Sequence, residues 1–364
     1  MRVLHIVNDA ETGGAQTLIE QLLLSREAGD EAHLLVLLSP GALSPRLEAA
    51  ATSTTYAGMS RRDVLPVAAV RAVRAVRTLV KRHGIDVVHS HLQQSDLVNA
   101  LTPHGAVRVS TLHSSLDQAS SRVAGIVWRI AAKLSSRFDA VVACSPSARD
   151  FAVEFGYRFP GEQIRIVHNG SVTAAEPAPE PSGDPLLLHL GRHAPSKDHP
   201  TLFAAFARVL QRHPRARLVC AGHRVDPENT ELTRELERLG IDHAVTLRGS
   251  VSDVRGLIRS AHAMVFSSNH EALPMAGIEA LGEGLPVVTT DTGDARLLAV
   301  EPWAVVPMSD PASLADSVCR LLELGPGQRH ELRRRSWELA RDEFDIRGAA
   351  RRYRELYEEL TAES

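Results

Sequence analysis

The sequence predicts an α/β protein with two doubly wound parallel sheets. Apolar runs of strand length alternate with segments of helical periodicity along nearly the whole chain, a pattern typical of parallel sheets covered by helices. Residues 173–184 interrupt the alternation with a stretch rich in proline and acidic residues, and a new strand follows at once. The length of 364 residues suits two domains. We therefore predict a first domain at 1–172, a linker at 173–184, a second domain at 185–343 and a terminal helix at 344–364 that packs back on the first domain.

The composition excludes several classes of protein. Hydrophobic residues make up 44% and charged residues 23%, with a formal net charge of -3, which does not suggest a nucleic-acid-binding protein. The amino terminus enters a strand directly, and no apolar run approaches the ~20 residues that span a bilayer. Cys144, Cys220 and Cys319 lie far apart within or beside apolar runs, which indicates buried reduced thiols. We expect a cytoplasmic protein.

The first strand, Arg2 to Val7, leads into a glycine turn and a helix. Gly13 and Gly14 let the backbone approach a ligand, and a helix start favours anions such as phosphate. The turn lacks the GxGxxG spacing, so a dinucleotide-binding fingerprint is missing. As a simple turn the glycine pair needs no ligand, and both interpretations stay open.

A long helix at about 65–82 carries a stripe of basic residues. Its opposite face holds Val70, Val73, Val76 and Val80. A solvated surface explains such a stripe more simply than contact with anionic lipid, because membrane association usually needs more than one signal. A peripheral membrane contact stays open as the alternative.

Histidines stand at the ends of two first-domain strands. His89 and His91 share one side of a strand, but zinc needs a third ligand and none stands at a recognisable spacing, so we favour a structural role. His113 follows the next strand at its carboxyl end, where open α/β sheets bind ligands. A lone histidine is more often structural than catalytic, so a structural role and a place at a binding site both stay open for His113 at this point.

The second domain begins with the strand LLLHLG and the loop GRHAPSKDHP. Arg192 and Lys197 lie on this loop, at the carboxyl end of the strand. Charge-assisted hydrogen bonds contribute about 1.5 to 3 kcal/mol each, so the two side chains together could hold a diphosphate without a metal ion. Taken singly, a loop arginine and a loop lysine are usually solvated.

The stretch FSSNHEALPMAGIEALGEGLPVVTTD, residues 266–291, carries two acids eight positions apart. Glu271 lies in the loop after a strand, and Glu279 lies one turn into a helix that opens at Pro274. We expect the free amides of 275–277 to face the loop, where they would attract an anion. A purely structural alternative is that Glu271 caps the helix and Glu279 is exposed to solvent.

This two-glutamate pattern, followed by Gly-Leu-Pro and a Val-Val strand, resembles the signature of retaining GT-B glycosyltransferases of family 4. The GGA turn, the histidine after a Thr-containing strand and the Gly-Arg and lysine of the loop are similar to that family in the same order. The resemblance implies a GT-B fold with two domains facing a cleft. It also implies a nucleotide-diphosphate sugar as donor, a UDP-sugar being favoured on frequency. The implied catalytic residues are His113, Glu271, Arg192 and Lys197. The implied donor-binding residues are Gly13, Gly14, Arg192, Lys197, Leu273, Pro274, Met275 and Glu279.

The same resemblance implies the roles of these residues. Glu279 would bind ribose, Glu271 sugar hydroxyls, and His113 the sugar face. No Asp-x-Asp element appears, so we expect no metal site, no cofactor and a metal-independent, front-face reaction with retention. Where many members have a second glycine and then a glutamate, this chain has Gly293, Asp294 and Leu297, which weakens any assignment of the sugar.

The acceptor stays open between a glycan, a lipid-linked molecule and a small molecule. One alternative function is a GT-B nucleotide-sugar epimerase, which would share the donor site. Another is a non-catalytic partner subunit that binds a nucleotide-sugar. A glycosidase is disfavoured because the cationic loop would then have no purpose.

Overall fold

The structure is a computed structural model that describes residues 1–59, 65–113, 122–158 and 164–363. It forms two compact units. Unit 1 comprises Met1–Gly170 and Ile346–Ser364, and unit 2 comprises Ser171–Asp345. The division falls next to the predicted boundary at 172, and the terminal segment groups with the first unit.

Unit 1 contains a seven-stranded sheet with helices between successive strands. Its strands are β1 (Arg2–Val7), β2 (Glu31–Val36), β3 (Ser53–Tyr56), β4 (Val87–His91), β5 (Val107–Leu112), β6 (Ala140–Ala143) and β7 (Arg165–Ile166). Its helices are α1 (Gly14–Leu24), α2 (Ser44–Ala50), α3 (Leu65–His83), α4 (Gln93–Leu101), α5 (Arg122–Leu134), α6 (Pro146–Glu154) and, at the end of the chain, α13 (Ile346–Ala362).

The strand order in unit 1 is β3-β2-β1-β4-β5-β6-β7, and every pair is parallel. The order reverses between β1 and β4, which is where doubly wound sheets open a crevice at the strands' carboxyl ends. The segments after β1, β4 and β5 therefore share one edge of the sheet.

Unit 2 contains a six-stranded parallel sheet. Its strands are β8 (Leu186–Leu190), β9 (Arg217–Ala221), β10 (Val245–Leu247), β11 (Ala263–Phe266), β12 (Val287–Thr290) and β13 (Val305–Val306). Its helices are α7 (His199–Arg212), α8 (Thr230–Leu239), α9 (Val254–Ser260), α10 (Met275–Gly282), α11 (Pro311–Leu322) and α12 (Pro326–Glu343). The order β10-β9-β8-β11-β12-β13 reverses between β8 and β11.

Buried apolar side chains hold each sheet to its helices. In unit 2, Phe203 and Phe206 of α7 are fully buried with Leu218 of β9 and Val265 of β11. These side chains recur three apart on α7, as expected for a helix with one face against a sheet. This packing fixes the strand ends that carry the loops of the candidate site.

The segment predicted as a linker, 173–184, belongs to unit 2 in the structure. Ala174 N–H donates to Gly282 O at 2.9 Å, and Ala178 N–H donates to Glu283 O at 2.9 Å. Trp337 Nε1 donates to Ala174 O at 2.8 Å. These bonds tie the segment to the end of α10 and to α12.

The terminal helix α13 buries an apolar stripe of aromatic and aliphatic side chains in unit 1. Tyr353, Leu356 and Tyr357 are each under 7% exposed. The helical spacing of these residues in the sequence therefore marks a core-facing stripe.

Two local predictions differ from the structure. Val70 was expected on the apolar face of α3, but it is 49% exposed, while Ala72, Val76 and Leu79 form the buried face. The helix after β11 was expected to open at Pro274. Pro274 is instead the extended N-cap residue, with ψ 120°, and Met275 is the first helical residue.

Candidate active site

In unit 2, the loops that follow β8 and β11 meet at the reversal of strand order. Asn269 N–H donates to Ser196 O at 2.9 Å, and Ser267 Oγ donates to Lys197 O at 2.8 Å. Thr290, the last residue of β12, donates its hydroxyl hydrogen to Ser268 O. These bonds hold three strand ends together, so the site has a rigid base.

Lys197 and Glu271 form a direct ion pair across the two loops. Lys197 Nζ donates to Glu271 Oε1, and the two side chains are 17% and 11% exposed. Ser268 Oγ also donates to Glu271 Oε1, at 2.8 Å. The sequence predicted both residues at one site, but their pairing is seen only in the structure.

Arg192 lies on the same loop and is exposed. Among the residues that the structure describes, no carboxylate lies within salt-bridge distance of its guanidinium. The backbone around it is closely packed, because a Cβ on Gly222 would lie 2.2 Å from Gly191 O and 3.0 Å from Arg192 N. A fixed backbone with an unpaired guanidinium can bind an anion without first breaking an internal ion pair.

Gly293 is packed directly onto the backbone of the Glu271 loop. Its φ is 51°, and a Cβ there would lie 2.0 Å from Glu271 O and 2.9 Å from the carbonyl carbon. Asp294 N–H donates to Ala272 O at 2.9 Å. The segment in which the sequence departs from the family pattern that it resembles thus packs against the backbone of Glu271.

The start of α10 offers fewer amides than the sequence predicted. Gly277 N–H donates to Pro274 O at 3.0 Å, so it is not free to face a ligand. The N–H groups of Met275 and Ala276 precede the first intrahelical donor, Gly277, and retain the character of free helix-start amides. Because Leu273 and Met275 bury their side chains, any contact from them with a ligand would come from the backbone.

Glu279 lies in the middle of α10 and is half-buried. It is eight residues from Glu271 along the chain and one turn past Met275, the first residue of the helix. Glu271 is not a helix cap, the structural alternative considered for it, since no side chain caps α10 by a hydrogen bond.

His189, under the cationic loop, is a residue that sequence reasoning missed. It is fully buried in β8, Nδ1 bonds to Val265 O at 2.9 Å, and Nε2 has no hydrogen-bond partner among the described residues. Burial lowers the pKa of His189 to about 4, so the ring is neutral beneath the Lys197 stem. A histidine inside an otherwise apolar strand was the signal available in the sequence.

In unit 1, Gly13 caps the start of α1. Its φ of -167° is extended backbone, and a Cβ would lie 2.6 Å from Gln16 Oε1. Gln16 is held by Asp9, since Gln16 Nε2 donates to Asp9 Oδ1 at 2.8 Å. Gly14, the first residue of α1, is exposed.

His113 follows β5, as predicted, and is partly buried. Its Nε2 lies 3.0 Å from His91 Nδ1. Burial lowers the pKa of His113 to about 4, and an interaction with the Asn169 side chain opposes that shift. The ring is therefore neutral and hydrogen-bonded at neutral pH.

A third histidine, which no recognisable spacing in the sequence indicated, accompanies His89 and His91 in the structure. His5 of β1 lies beside them, and one nitrogen from each of the three rings falls within 4.8 Å of the others. The sequence could not show this, because β1 and β4 are adjacent only through the parallel register that sets His5 opposite His89.

The basic stripe of α3 is exposed along its length, as the sequence predicted. The exposed residues are Arg71, Arg74, Arg77, Lys81 and Arg82. Within the described part of the chain, no helix combines the length and apolar character required to cross a bilayer.

Comparisons with known proteins agree with this architecture. Residues 12–174 match the model of Glycosyltransferase Family 4, and residues 184–324 match that of Glycosyl transferases group 1. The GDP-mannose:cellobiosyl-diphosphopolyprenol alpha-mannosyltransferase of Xanthomonas oryzae is 26% identical over 83% of this chain and 79% of its own. The glycogen synthase of Mycobacterium tuberculosis is 27% identical over 65% of this chain and 60% of its own.

Solved structures share the fold. The crystal structure of HepE from Anabaena in complex with UDP-glucose has a TM-score of 0.82 at 21% identity, covering 99% of this chain and 100% of that one. Its likeness confirms the predicted fold class, two Rossmann-like units of the GT-B type. Two family models that together match most of the chain, and the order of the motifs, lead to one conclusion: the protein belongs to the glycosyltransferases of family 4, glycosyl transferases group 1.

Proposed function

We propose that the protein moves a sugar, with retention of configuration, from a nucleotide-diphosphate sugar to a hydroxyl group of an acceptor, without a divalent metal. The observation that carries this proposal is the Lys197–Glu271 pair, which joins the loops after two adjacent strands. A cation and an acid held together at strand carboxyl ends suit a substrate that carries both a diphosphate and sugar hydroxyls.

Arg192 and Lys197 hold the donor diphosphate in this proposal. Lys197 has three N–H donors, and one of them is bonded to Glu271, so two can reach phosphate oxygens while the pair stays intact. Arg192 adds a planar pair of donors. Each charge-assisted hydrogen bond contributes about 1.5 to 3 kcal/mol, which is how the two cations replace a metal ion.

The helix start of α10 supplies further stabilisation. The amides of Met275 and Ala276, with that of Leu273 before them, face the diphosphate or the sugar, and the positive end of the helix favours the charge on the leaving group.

The remaining residues orient the donor. Glu271 accepts hydrogen bonds from sugar hydroxyls, and Glu279 accepts them from the ribose. His113 contacts the sugar during transfer, and the Gly13–Gly14 turn lets its backbone approach the phosphates and the acceptor.

The bonds change in one front-face step. The bond between the anomeric carbon and the phosphate oxygen breaks, and its electron pair stays on the diphosphate. The acceptor oxygen bonds to the same face of the anomeric carbon, and its proton passes to the leaving phosphate. The cations balance the charge that develops there.

We propose a UDP-sugar as donor, because the fold is shared with a structure that holds UDP-glucose. The Xanthomonas relative is named for GDP-mannose, so GDP-mannose is the competing donor. That relative is also named for a diphosphopolyprenol acceptor, which makes a lipid-linked glycan a candidate acceptor here. The exposed basic stripe of α3 would suit a peripheral membrane contact of a cytoplasmic protein.

The test incubates the purified protein with UDP-glucose or GDP-mannose and a polyprenyl-diphosphate glycan, in buffer containing EDTA. Transferred sugar with the donor's anomeric configuration, measured by NMR, supports the proposal. An epimerised donor indicates an epimerase, and binding without turnover indicates a non-catalytic partner subunit. Activity that EDTA abolishes and magnesium restores would contradict metal independence.

A further inference from the structure

A chain of hydrogen-bonded histidines runs across unit 1 from His5 to His113. His5 Nδ1 lies 3.0 Å from His91 Nε2, and His91 Nδ1 lies 3.0 Å from His113 Nε2. Both contacts have hydrogen-bond length, and both link rings on neighbouring strands. We name His5, His91 and His113 the histidine chain.

The parallel register explains why the three rings meet. His5 is opposite His89, and His91 is opposite Thr111. His91 is therefore two residues beyond the position opposite His5, and His113 is two residues beyond the position opposite His91. Side chains two apart share a face of the sheet, so the chain climbs diagonally towards the strands' carboxyl ends.

The terminal helix α13 holds the neighbouring ring in place. His89 Nδ1 bonds to Tyr357 OH at 2.6 Å, and His89 Nε2 bonds to Thr111 Oγ1 at 2.7 Å. Thr111 Oγ1 in turn lies 3.2 Å from Tyr353 OH. The rings of His89 and His91, whose centroids are 4.0 Å apart, are both fully buried, so neither can turn freely.

These bonds argue against a metal ion at His5, His89 and His91. Both nitrogens of His89 are directed at hydroxyl groups, and both nitrogens of His91 are directed at other imidazoles. A metal would have to displace these partners, since each lone pair can serve only one of them.

All three rings of the histidine chain are neutral at physiological pH. Burial lowers the pKa of His5 and of His113 to about 4, and it lowers the pKa of His91 well below the ordinary value. A neutral imidazole has one N–H and one bare nitrogen. Each 3.0 Å contact therefore needs an N–H on one ring and a bare nitrogen on the other.

Only two arrangements satisfy both contacts. With the hydrogen on Nδ1 of every ring, His5 donates to His91 and His91 donates to His113. With the hydrogen on Nε2 of every ring, the direction reverses. Any mixed arrangement sets two N–H groups or two bare nitrogens against each other and loses a hydrogen bond.

We propose that His5 and His91 are positioning residues that set the tautomer of His113. The tautomer decides whether His113 Nδ1 presents an N–H donor or a bare acceptor. His113 Nδ1 has no hydrogen-bond partner among the described residues, and the Asn169 side chain that interacts with the ring can serve either form, because an amide both donates and accepts. The consequence for sugar transfer rests on the proposed function, whereas the coupling of tautomers does not.

His5, at the end of the histidine chain away from His113, borders a cavity. His5 is 6% exposed and lines a cavity of about 390 Å³ together with Tyr353 and Tyr357 of α13. A change in the hydrogen bonding of His5 should therefore change the tautomer of His113, two hydrogen bonds away.

The direct test records long-range ¹H–¹⁵N spectra of the histidine rings in the full-length protein. The three rings should show one shared tautomer, all Nδ1–H or all Nε2–H. A mixed set, or an imidazolium in the chain at pH 7.5, would overturn the proposal. So would one equivalent of zinc bound to the purified protein by mass spectrometry.

Substitutions at position 5 give a second test. In His5→Asp a carboxylate oxygen replaces Nδ1 and can only accept, so His91 and His113 should carry Nε2–H. In His5→Leu no partner remains, and a bare buried nitrogen is tolerated better than an unpaired N–H, so both should carry Nδ1–H. The proposal is wrong if His113 shows the same tautomer in both folded variants. His5→Asn, which can donate or accept, should leave the wild-type tautomer.

A matched control separates this effect from general damage to the sheet. His33 of β2 is 2% exposed and bonded to Ser53 at 2.7 Å, outside the histidine chain. His33→Leu should leave the His113 spectrum unchanged, and a tautomer change there would refute a specific path. If sugar transfer is absent while the tautomers still switch together, the proposed function fails and the coupling stands.

Discussion

Replacing Lys197 by methionine should destabilise unit 2 by about 2 kcal/mol, because the Glu271 carboxylate would lose its cation. Exposed ion pairs contribute about 0.2 to 1 kcal/mol, while removing one partner of a fully buried pair costs about 3 to 5 kcal/mol. With side chains 17% and 11% exposed, this pair lies between those limits. Ser268 would remain as the hydrogen-bond donor to Glu271.

The double substitution Lys197→Met with Glu271→Gln tests the cause. Glutamine removes the uncompensated charge and can still accept from Ser268, so the double variant should recover most of the loss, with a coupling energy of about 1.5 kcal/mol. Urea unfolding followed by tryptophan fluorescence in a Trp128→Phe background reports on unit 2, where Trp303 and Trp337 lie.

The reasoning would be refuted if the two single substitutions were additive. Arg192→Met is the matched control, because that side chain is exposed and has no ion-pair partner among the described residues. Its stability should stay within about 0.5 kcal/mol of wild type, as for ordinary surface substitutions.

Three further predictions concern the loop, the histidines and the metal. Gly293→Ala should destabilise the protein by more than 2 kcal/mol and weaken donor binding, since its Cβ would meet Glu271 O at 2.0 Å. Gly240→Ala is the control, because Gly240 has a φ of 68° but no atom near the position of a Cβ, so this substitution should cost only the strain of a left-handed residue, about 1 to 2 kcal/mol. Equal losses of stability for Gly293→Ala and Gly240→Ala in unfolding assays would contradict this account. The free energy of unfolding should be constant above pH 6.5 and fall as the pH drops towards 4. Burial lowers the pKa of His5 to about 4 in the folded protein, so the unfolded chain takes up a proton at this residue first. At 1.36 kcal/mol per pKa unit, the shift of His5 corresponds to about 3 kcal/mol of stability. In urea titrations at each pH, the free energy of unfolding of a His5→Asn variant should therefore fall less than that of wild type between pH 6.5 and pH 4. Transfer rates should be the same in EDTA and in magnesium, and a tenfold difference would show that a metal takes part.

The sequence sufficed for the alternation of strands and helices, and for the loops that carry the candidate residues. Apolar runs and helical periodicity are local signals, so β8, β11 and α10 could be located from them. Some short elements were not located from the sequence, among them α2, β3 and α4. A polar helix such as α4 gives little periodic signal, although Asp96 and Asn99 within it are buried.

The contacts that shape the site could not be predicted. Lys197 and Glu271 are 74 residues apart and meet only because β8 and β11 are neighbours in the sheet. Gly293 approaches the Glu271 carbonyl from a third loop, and that approach depends on the exact course of the backbone.

The histidine chain has the same origin. Its members lie on or just after three strands, and a shift of one residue in register would move a ring to the other face of the sheet. Spacing along the chain revealed His89 and His91 but gave no sign of His5.

The most direct measurement of the central claim is the affinity for UDP-glucose and GDP-mannose, by calorimetry in EDTA, of the wild-type and Arg192→Met proteins. Wild type should bind at least one of the two donors, and Arg192→Met should bind it at least tenfold more weakly, since it loses about 1.5 to 3 kcal/mol of charge-assisted hydrogen bonding. Equal affinity in the two proteins would contradict the assignment of this loop to the donor diphosphate.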